Sequence, residues 1–242
     1  MSILAAARGL LAETGNQDAV SVRAVADRVG VTTPSIYRHF KDKDDLMDAV
    51  CKEVFEILAD ELEKAATITN GPLERLFAQG QAYIDFALAN PEEYRIAFMG
   101  QCRPKDIDTF ITERCFSQVV STVQACTEAG LFAPCAAGPV DVAVRLWACV
   151  HGLASLLICK PWLPWGDLGA MVQRALLMAA AGASLEGRLT GQPLPKVAQE
   201  MAGFAGGPQP PQLGPGAASH KSRQGKPQQS RAKRRATSER NA

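Results

Sequence analysis

Two short segments of apolar periodicity, "SVRAVADRV" and "TPSIYRHF", stand on either side of "GVT", residues 30 to 32. Two short helices joined by a turn of three or four residues that contains glycine make a helix-turn-helix unit. Ser21 is a good N-cap for the first, whose Val22, Val25, Ala26 and Val29 share one face and whose end is marked by Gly30. Thr32 is placed to cap the second, which the spacing extends through Phe40, with Pro34 tolerated in the first turn where a missing N–H costs little. A helix ahead of the pair carries Ile3, Leu4, Ala7 and Leu11 and stops at Gly15. Behind it, Asp42 is the N-cap of a longer helix with Leu46, Val50, Val54, Ile57, Leu58 and Leu62 on one stripe.

A break at "ATITNGP", residues 66 to 72, precedes longer apolar helices that run to about Gly191. No alternating strand pattern of useful length and no internal repeat is present, so the expected fold class is all-α. From residue 192 onward Pro, Gly, Gln and Ser dominate, and the segment is expected to be disordered.

Composition excludes several classes. The longest uncharged apolar run, Leu146 to Cys159, is too short to span a bilayer comfortably, so a core helix and no membrane partner are expected. Arg8 and Glu13 interrupt any apolar leader, so no signal peptide is expected and the cytoplasm is the expected compartment. Seven cysteines lack CxxC or metal-type spacing; reduced thiols are expected, with no metal and no cofactor. Cys149 and His151 lie two apart, about 200° around a helix, so they cannot pair as nucleophile and base, and no catalytic residues are expected. Residues 206 to 242 hold 8 basic and 1 acidic side chains, which leaves 18 basic against 24 acidic in residues 1 to 205. An acidic body thus precedes a basic tail, which can add sequence-independent attraction to a polyanion or simply remain a solvated end.

In a helix-turn-helix the second helix enters the major groove with its first residues toward the base edges. Thr32, Thr33 and Ser35 supply hydroxyls there, while Tyr37, Arg38 and His39 can reach backbone or base and Ile36 and Phe40 face the core. Lys43 opposes the macrodipole of the helix it begins, which a DNA phosphate would reverse in sign; Asp42, Asp44 or Asp45 could neutralise it equally well. Residues 29 to 46 hold three basic side chains (Arg38, Lys41, Lys43) and three acidic ones (Asp42, Asp44, Asp45), so placement and not bulk charge would carry DNA binding.

"VSVRAVADRVGVTTPSIYRHFKDKDDLMDAV" resembles the N-terminal domain of TetR/AcrR-type transcriptional regulators: a Val-Arg-x-Val-Ala helix, a Gly-Val turn, an Ile-Tyr-x-His-Phe helix and a following Lys-x-x-Leu. The resemblance implies an all-helical homodimer that binds a palindromic operator in double-stranded DNA and is usually a repressor released by a small-molecule effector. It places Ser21, Thr32, Thr33, Pro34, Ser35, Tyr37, Arg38, His39 and Lys43 at DNA-contacting positions. Taken with the break and the composition of the tail, it divides the chain into an expected DNA-binding domain over 1–50, a connecting helix and break over 51–70, an effector and dimerisation domain over 71–191, and a tail over 192–242. Two departures stand out: Met1 nearly begins the first helix, where relatives often carry a basic extension, and Thr33 replaces a frequent Lys or Arg.

"YIDFALANPEEYRIAF" and "WACVHGLASLL" resemble, more weakly, an effector domain of the family marked by a Trp…His-Gly motif. Trp147 and His151 share a helix face, which suits either a pocket wall or an ordinary buried Trp and His in a core. The effector-pocket candidates are Tyr83, Phe86, Phe98, Phe110, Phe116, Trp147 and His151, a composition that suggests an apolar or aromatic effector. Helices near 139 to 159 and 167 to 188 are the candidates for the dimer interface. The alternative to a small-molecule effector is thiol oxidation, with the cysteines as sensors.

Overall fold

The computed structural model describes residues 2–99, 113–134 and 137–206. Every regular element among them is helical, and no strand occurs. The first compact unit extends to Thr190 and the second starts at Gly191.

Three helices open the first unit: α1 (Ile3–Thr14), α2 (Val22–Val29) and the five-residue α3 (Thr33–Tyr37). Their punctuation is chemical. The backbone N–H of Ala5 donates to Ser2 Oγ at 3.1 Å, and that of Ala24 donates to Ser21 Oγ at 3.1 Å, so each serine meets an otherwise orphaned donor of its helix start. Gly30 takes φ 81°, a left-handed conformation that makes the sharp exit from α2 cheap for glycine alone. Inside, Ala7, Leu11, Val25, Ala26 and Ile36 are buried together with Leu46 and Val50.

The fourth helix, α4 (Lys43–Thr67), is 25 residues long. The Asp45 N–H donates to Asp42 Oδ1 at 2.8 Å, and Asp45 Oδ2 in turn accepts from the Lys41 N–H at 2.9 Å, a reciprocal cap at its start. Next come α5 (Pro72–Ala89) and the short α6 (Pro91–Tyr94), which continues into one π-turn, Arg95–Met99. Then follow α7 (Arg114–Glu128), α8 (Gly138–Cys159) and α9 (Leu168–Leu189). The helices α4, α5, α7, α8 and α9 pack on one another around a continuous apolar core. A smaller cluster, built on Phe116, Val123, Cys126, Phe132 and Val142, sits between α7 and α8.

By length and composition α8 and α9 could cross a membrane, because the apolar stretch of α8 extends past Arg145. Core helices of soluble proteins share those properties, and here Ala154, Leu157, Val172 and Leu176 are buried in the common core. Only 22% and 17% of their apolar windows are buried, however, so each helix keeps a long apolar face uncovered.

In the second unit the described residues form α10 (Leu194–Phe204). This corrects the expectation of disorder from residue 192. Pro193 stands at the N-cap and Pro195 in the first turn, where proline is tolerated, so neither breaks a helix that starts after them.

Candidate DNA-binding and effector sites

The sequence-derived DNA residues gather at one end of the first unit. Ser21 caps α2, and Thr32 holds the N-cap position of α3 without capping it: its Oγ1 lies 3.0 Å from Ser35 Oγ. Arg38 Nη2 donates to that same Ser35 Oγ at 3.1 Å. Tyr37, 53% exposed, stands out with Thr32, Pro34, Arg38 and His39, while Thr33 and Ser35 are half-buried and Ile36 is buried behind them. The helix ends at Tyr37 and not at Phe40, because Arg38 and His39 form a turn that carries the chain to the α4 cap. Lys43 is half-buried, and its Nζ lies 3.7 Å from Asp18 Oδ1, a partner on the turn between α1 and α2 and not one of the neighbouring aspartates. Asp18 is 95% exposed, so screening by solvent keeps that pair weak and Lys43 available.

Behind this end, Arg8 on α1 ties three helices together. Its Nε donates to Glu93 Oε1 of α6 at 2.9 Å and its Nη1 donates to Glu53 Oε2 of α4 at 3.3 Å. A second tie, Arg28 to Glu13, joins α2 to α1 through two short hydrogen bonds of 2.5 and 2.6 Å.

A cavity of about 80 Å³ lies among α4, α5, α7, α8 and α9. Phe55, Leu58 and Leu62 of α4 make one wall, and Leu146, Trp147 and Val150 of α8 another. Gln79, Gly80 and Tyr83 face it from α5, and Phe98 reaches it from the π-turn. Among the sequence-derived candidates Tyr83, Phe98, Phe116 and Trp147 line this cavity. Phe86 is buried elsewhere in the core, and His151 is turned into a hydrogen-bonded cluster, so neither forms its wall; Phe110 lies outside the described residues, as does the basic tail from residue 207.

That cluster closes one side of the cavity. Trp147 Nε1 donates to Tyr83 Oη at 3.1 Å, and Tyr83 Oη lies 3.2 Å from Tyr94 Oη and 3.1 Å from His151 Nδ1. Tyr94 Oη is 2.6 Å from His151 Nδ1, which fits a neutral imidazole accepting the phenol proton. Burial pushes the His151 pKa below the ordinary histidine value and pushes both tyrosines up, so all three groups stay neutral near pH 7. Burial also pushes the Cys115 thiol up to about 12, and raises Cys126 in the same way, which makes both poor nucleophiles. Cys51 departs from the reduced-thiol expectation, being disulfide-bonded.

Sequence reasoning from aromatic residues missed Gln79, Gly80 and the α4 wall. A signal was present: Leu76, Gln79, Tyr83 and Phe86 form the buried stripe of α5, and Gln79 is its one amide. Gly80 permits close packing, since a Cβ there would stand 2.6 Å from Leu176 Cδ2.

Comparison with known proteins gives consistent results at both ends of the chain. Residues 3–50 match the model for bacterial regulatory proteins of the tetR family, and residues 76–189 match the tetracyclin repressor-like C-terminal domain. The HTH-type transcriptional activator FasR of Mycolicibacterium smegmatis is 30% identical over 112 residues, 46% of this chain and 48% of FasR, so the chain spans about half the length of that curated relative. A Rhodococcus sp. RHA1 protein of unknown function is similar in structure, with a TM-score of 0.65 at 25% identity over 75% of this chain and 93% of that one. The fold is also that of the fatty acid degradation regulator FadR from Bacillus halodurans, with a TM-score of 0.58 at 17% identity over 74% of this chain and 97% of that one. A helix-turn-helix at one end, a helical body behind it and these two family matches together make the chain a member of the TetR family of DNA-binding transcriptional regulators.

Proposed function

We propose that this regulator binds a palindromic operator as a homodimer and that a small apolar effector in the cavity changes its operator affinity. The observation that carries the reading is the course of α4, whose Phe55, Leu58 and Leu62 wall the cavity and whose first residue, Lys43, follows the end of α3 at Tyr37 in the chain and lies 3.7 Å from Asp18 just ahead of α2. An effector that binds one position of α4 better than another shifts the equilibrium between them, and only that differential affinity can do so. Ser21, Thr32, Thr33, Pro34, Ser35, Tyr37, Arg38, His39 and Lys43 are the proposed DNA contacts, within a DNA-binding domain over 1–50 and ahead of an effector and dimerisation domain over 71–191.

The proposed dimer interface is the uncovered face of α8 and α9. Val144, Leu156, Leu177 and Met178 are exposed there, with Met178 at 75%. A two-fold pairing of these faces would bury them, and binding to successive major grooves requires two α3 helices about 34 Å apart, one turn of DNA.

Repression is the simplest sign, since a dimer seated on an operator blocks polymerase by its volume alone, whereas activation needs a contact to polymerase. The relative FasR is named an activator, so a promoter-reporter assay with and without the protein decides the sign. The DNA reading itself is tested by selecting bound sequences from a random pool with the full chain. The expected result is enrichment of a palindrome with half-sites one turn apart; enrichment of none overturns it. An intracellular site of action follows from this reading.

The disulfide at Cys51 favours a second reading, in which thiol oxidation sets operator affinity. Cys51 is buried on α4, between Lys43 and the cavity wall. Under that reading reduction changes the affinity of the wild type and leaves Cys51→Ser unmoved; equal affinities of the oxidised and reduced wild type exclude it.

A further inference from the structure

Three polar side chains are buried among the described residues: Gln79, Glu93 and Thr122. Two are satisfied. Glu93 accepts from Arg8 Nε at 2.9 Å, and Thr122 Oγ1 donates to the Gln118 carbonyl at 3.0 Å. Gln79 is 3% exposed and lines the cavity, and its Oε1 has no hydrogen-bond partner among the described residues. Buried acceptors without partners are rare in folded proteins, and one at a cavity wall marks a position where a ligand atom completes the bond.

The rest of the lining restricts the ligand further. No Lys, Arg, His, Asp or Glu is among the described residues that line the cavity. A carboxylate or an ammonium group held against these wall residues would find no opposite charge among them, which is costly wherever water is excluded. The other polar wall groups are already engaged or unreactive. Tyr83 Oη receives the Trp147 N–H and adjoins Tyr94 Oη and His151 Nδ1, and burial keeps the Cys115 thiol protonated. A pure hydrocarbon would leave Gln79 Oε1 unmet, whereas a single hydroxyl meets it and asks for nothing else from an apolar wall.

We infer that the effector is an uncharged, mainly hydrocarbon alcohol or phenol whose O–H donates to Gln79 Oε1. This rests on the reading of the cavity as the effector site. The cavity of about 80 Å³ is smaller than the roughly 150 Å³ that admits benzene in an engineered apolar core, so a ligand of that size extends through its open side or displaces a wall. The α4 wall, with Phe55, Leu58 and Leu62, leads directly to Lys43.

The test titrates the protein with 1-hexanol, with its isomer methyl pentyl ether and with hexanoate, following tryptophan fluorescence and calorimetric heat, and repeats the series on Gln79→Met and Gln79→Leu. The expected result is that the alcohol binds the wild type about tenfold more tightly than the ether, that hexanoate binds more weakly than either, and that both variants bring alcohol and ether within about twofold. Both variants are expected to unfold at or above the wild-type temperature, because an unmet buried acceptor has been removed. Equal binding of alcohol and ether by the wild type, or a preference that survives in both variants, overturns the inference while leaving the cavity as an effector site. Binding with the stated preference but without any change in operator affinity upholds the alcohol specificity and overturns the effector-site reading. Absence of binding by all three ligands overturns both.

Discussion

Arg8 on the first helix donates to Glu93 on the sixth at 2.9 Å, across 85 residues of chain, and Glu93 is the one buried acid among the described residues. Their contact joins the helix-turn-helix end to the body that holds the cavity. Arg8→Met should leave Glu93 buried without its cation and lower stability by about 1 to 3 kcal/mol, the lower part of the range for buried pairs because Arg8 keeps 27% of its side chain exposed. Thermal unfolding of Arg8→Met, Glu93→Gln and the double variant checks this: the double variant should recover part of the loss, and strict additivity would show that the pair does not interact.

His151 makes stability depend on pH. Burial lowers its pKa, so the folded chain holds the neutral ring and the unfolded chain takes up the proton first as pH falls. Stability from this group is full above about pH 6.5, the ordinary histidine value, and is lost progressively below it. Protonation would also remove the acceptor that Tyr94 uses at 2.6 Å. Thermal unfolding between pH 7.5 and pH 5 should show this fall, and His151→Phe should flatten it; an unchanged slope in the variant would assign the fall to other groups.

Two helical glycines should respond oppositely to alanine. A Cβ at Gly187 would lie 2.6 Å from Ala133 Cβ, so Gly187→Ala should destabilise by about 1 to 3 kcal/mol through overpacking. A Cβ at Gly152 meets nothing within 4 Å among the described residues, so Gly152→Ala should be neutral or add up to about 1 kcal/mol of helix propensity. Chemical denaturation of both variants measures the contrast. A loss at Gly152 that deepens with protein dilution would place the glycine in a contact between copies.

Leu177 and Met178, exposed at 59% and 75%, test the dimer face. Leu177→Glu with Met178→Glu should convert the proposed dimer to monomer in sedimentation analysis, with helical content unchanged. Operator affinity should fall with it, because each half-site then binds alone. A dimer that persists in the double variant moves the interface elsewhere.

The basic tail and Lys43 should separate in their salt dependence. Removing residues 206 to 242 should flatten the salt slope of non-specific binding while operator preference persists. Lys43→Ala should weaken operator binding uniformly across sequences and reduce the slope by about 1. Binding isotherms between 50 and 200 mM salt read both; an unchanged slope after truncation leaves the tail as a solvated end.

Local chemistry made much of the fold legible. Ser21, Asp42 and Gly30 announce helix ends through side-chain caps and a left-handed turn, and the apolar runs mark α8 and α9. Long-range pairing was not legible. Lys43 finds Asp18 and His151 finds Tyr83 and Tyr94, partners 25, 68 and 57 residues away that no local pattern specifies. The cavity was half legible, since its aromatic wall follows from residue type, while Phe55, Leu58 and Leu62 read only as the apolar stripe of α4. The helix α10 was hidden behind prolines that are read as breakers unless their place in the first turn is recognised.

The length of α4 turns it into a lever arm. Fifteen residues separate Lys43 from Leu58 on the cavity wall, a distance of about 22 Å at the rise of an α-helix. Rotation by about 5° about the wall would carry the Lys43 end roughly 2 Å, and about 4 Å between the two halves of a symmetric pair, by the geometry of a rigid helix. In the proposed dimer that displacement would be close to a single base-pair step of about 3.4 Å, so a small tilt of α4 at the wall would put two reading heads out of phase with the DNA helix.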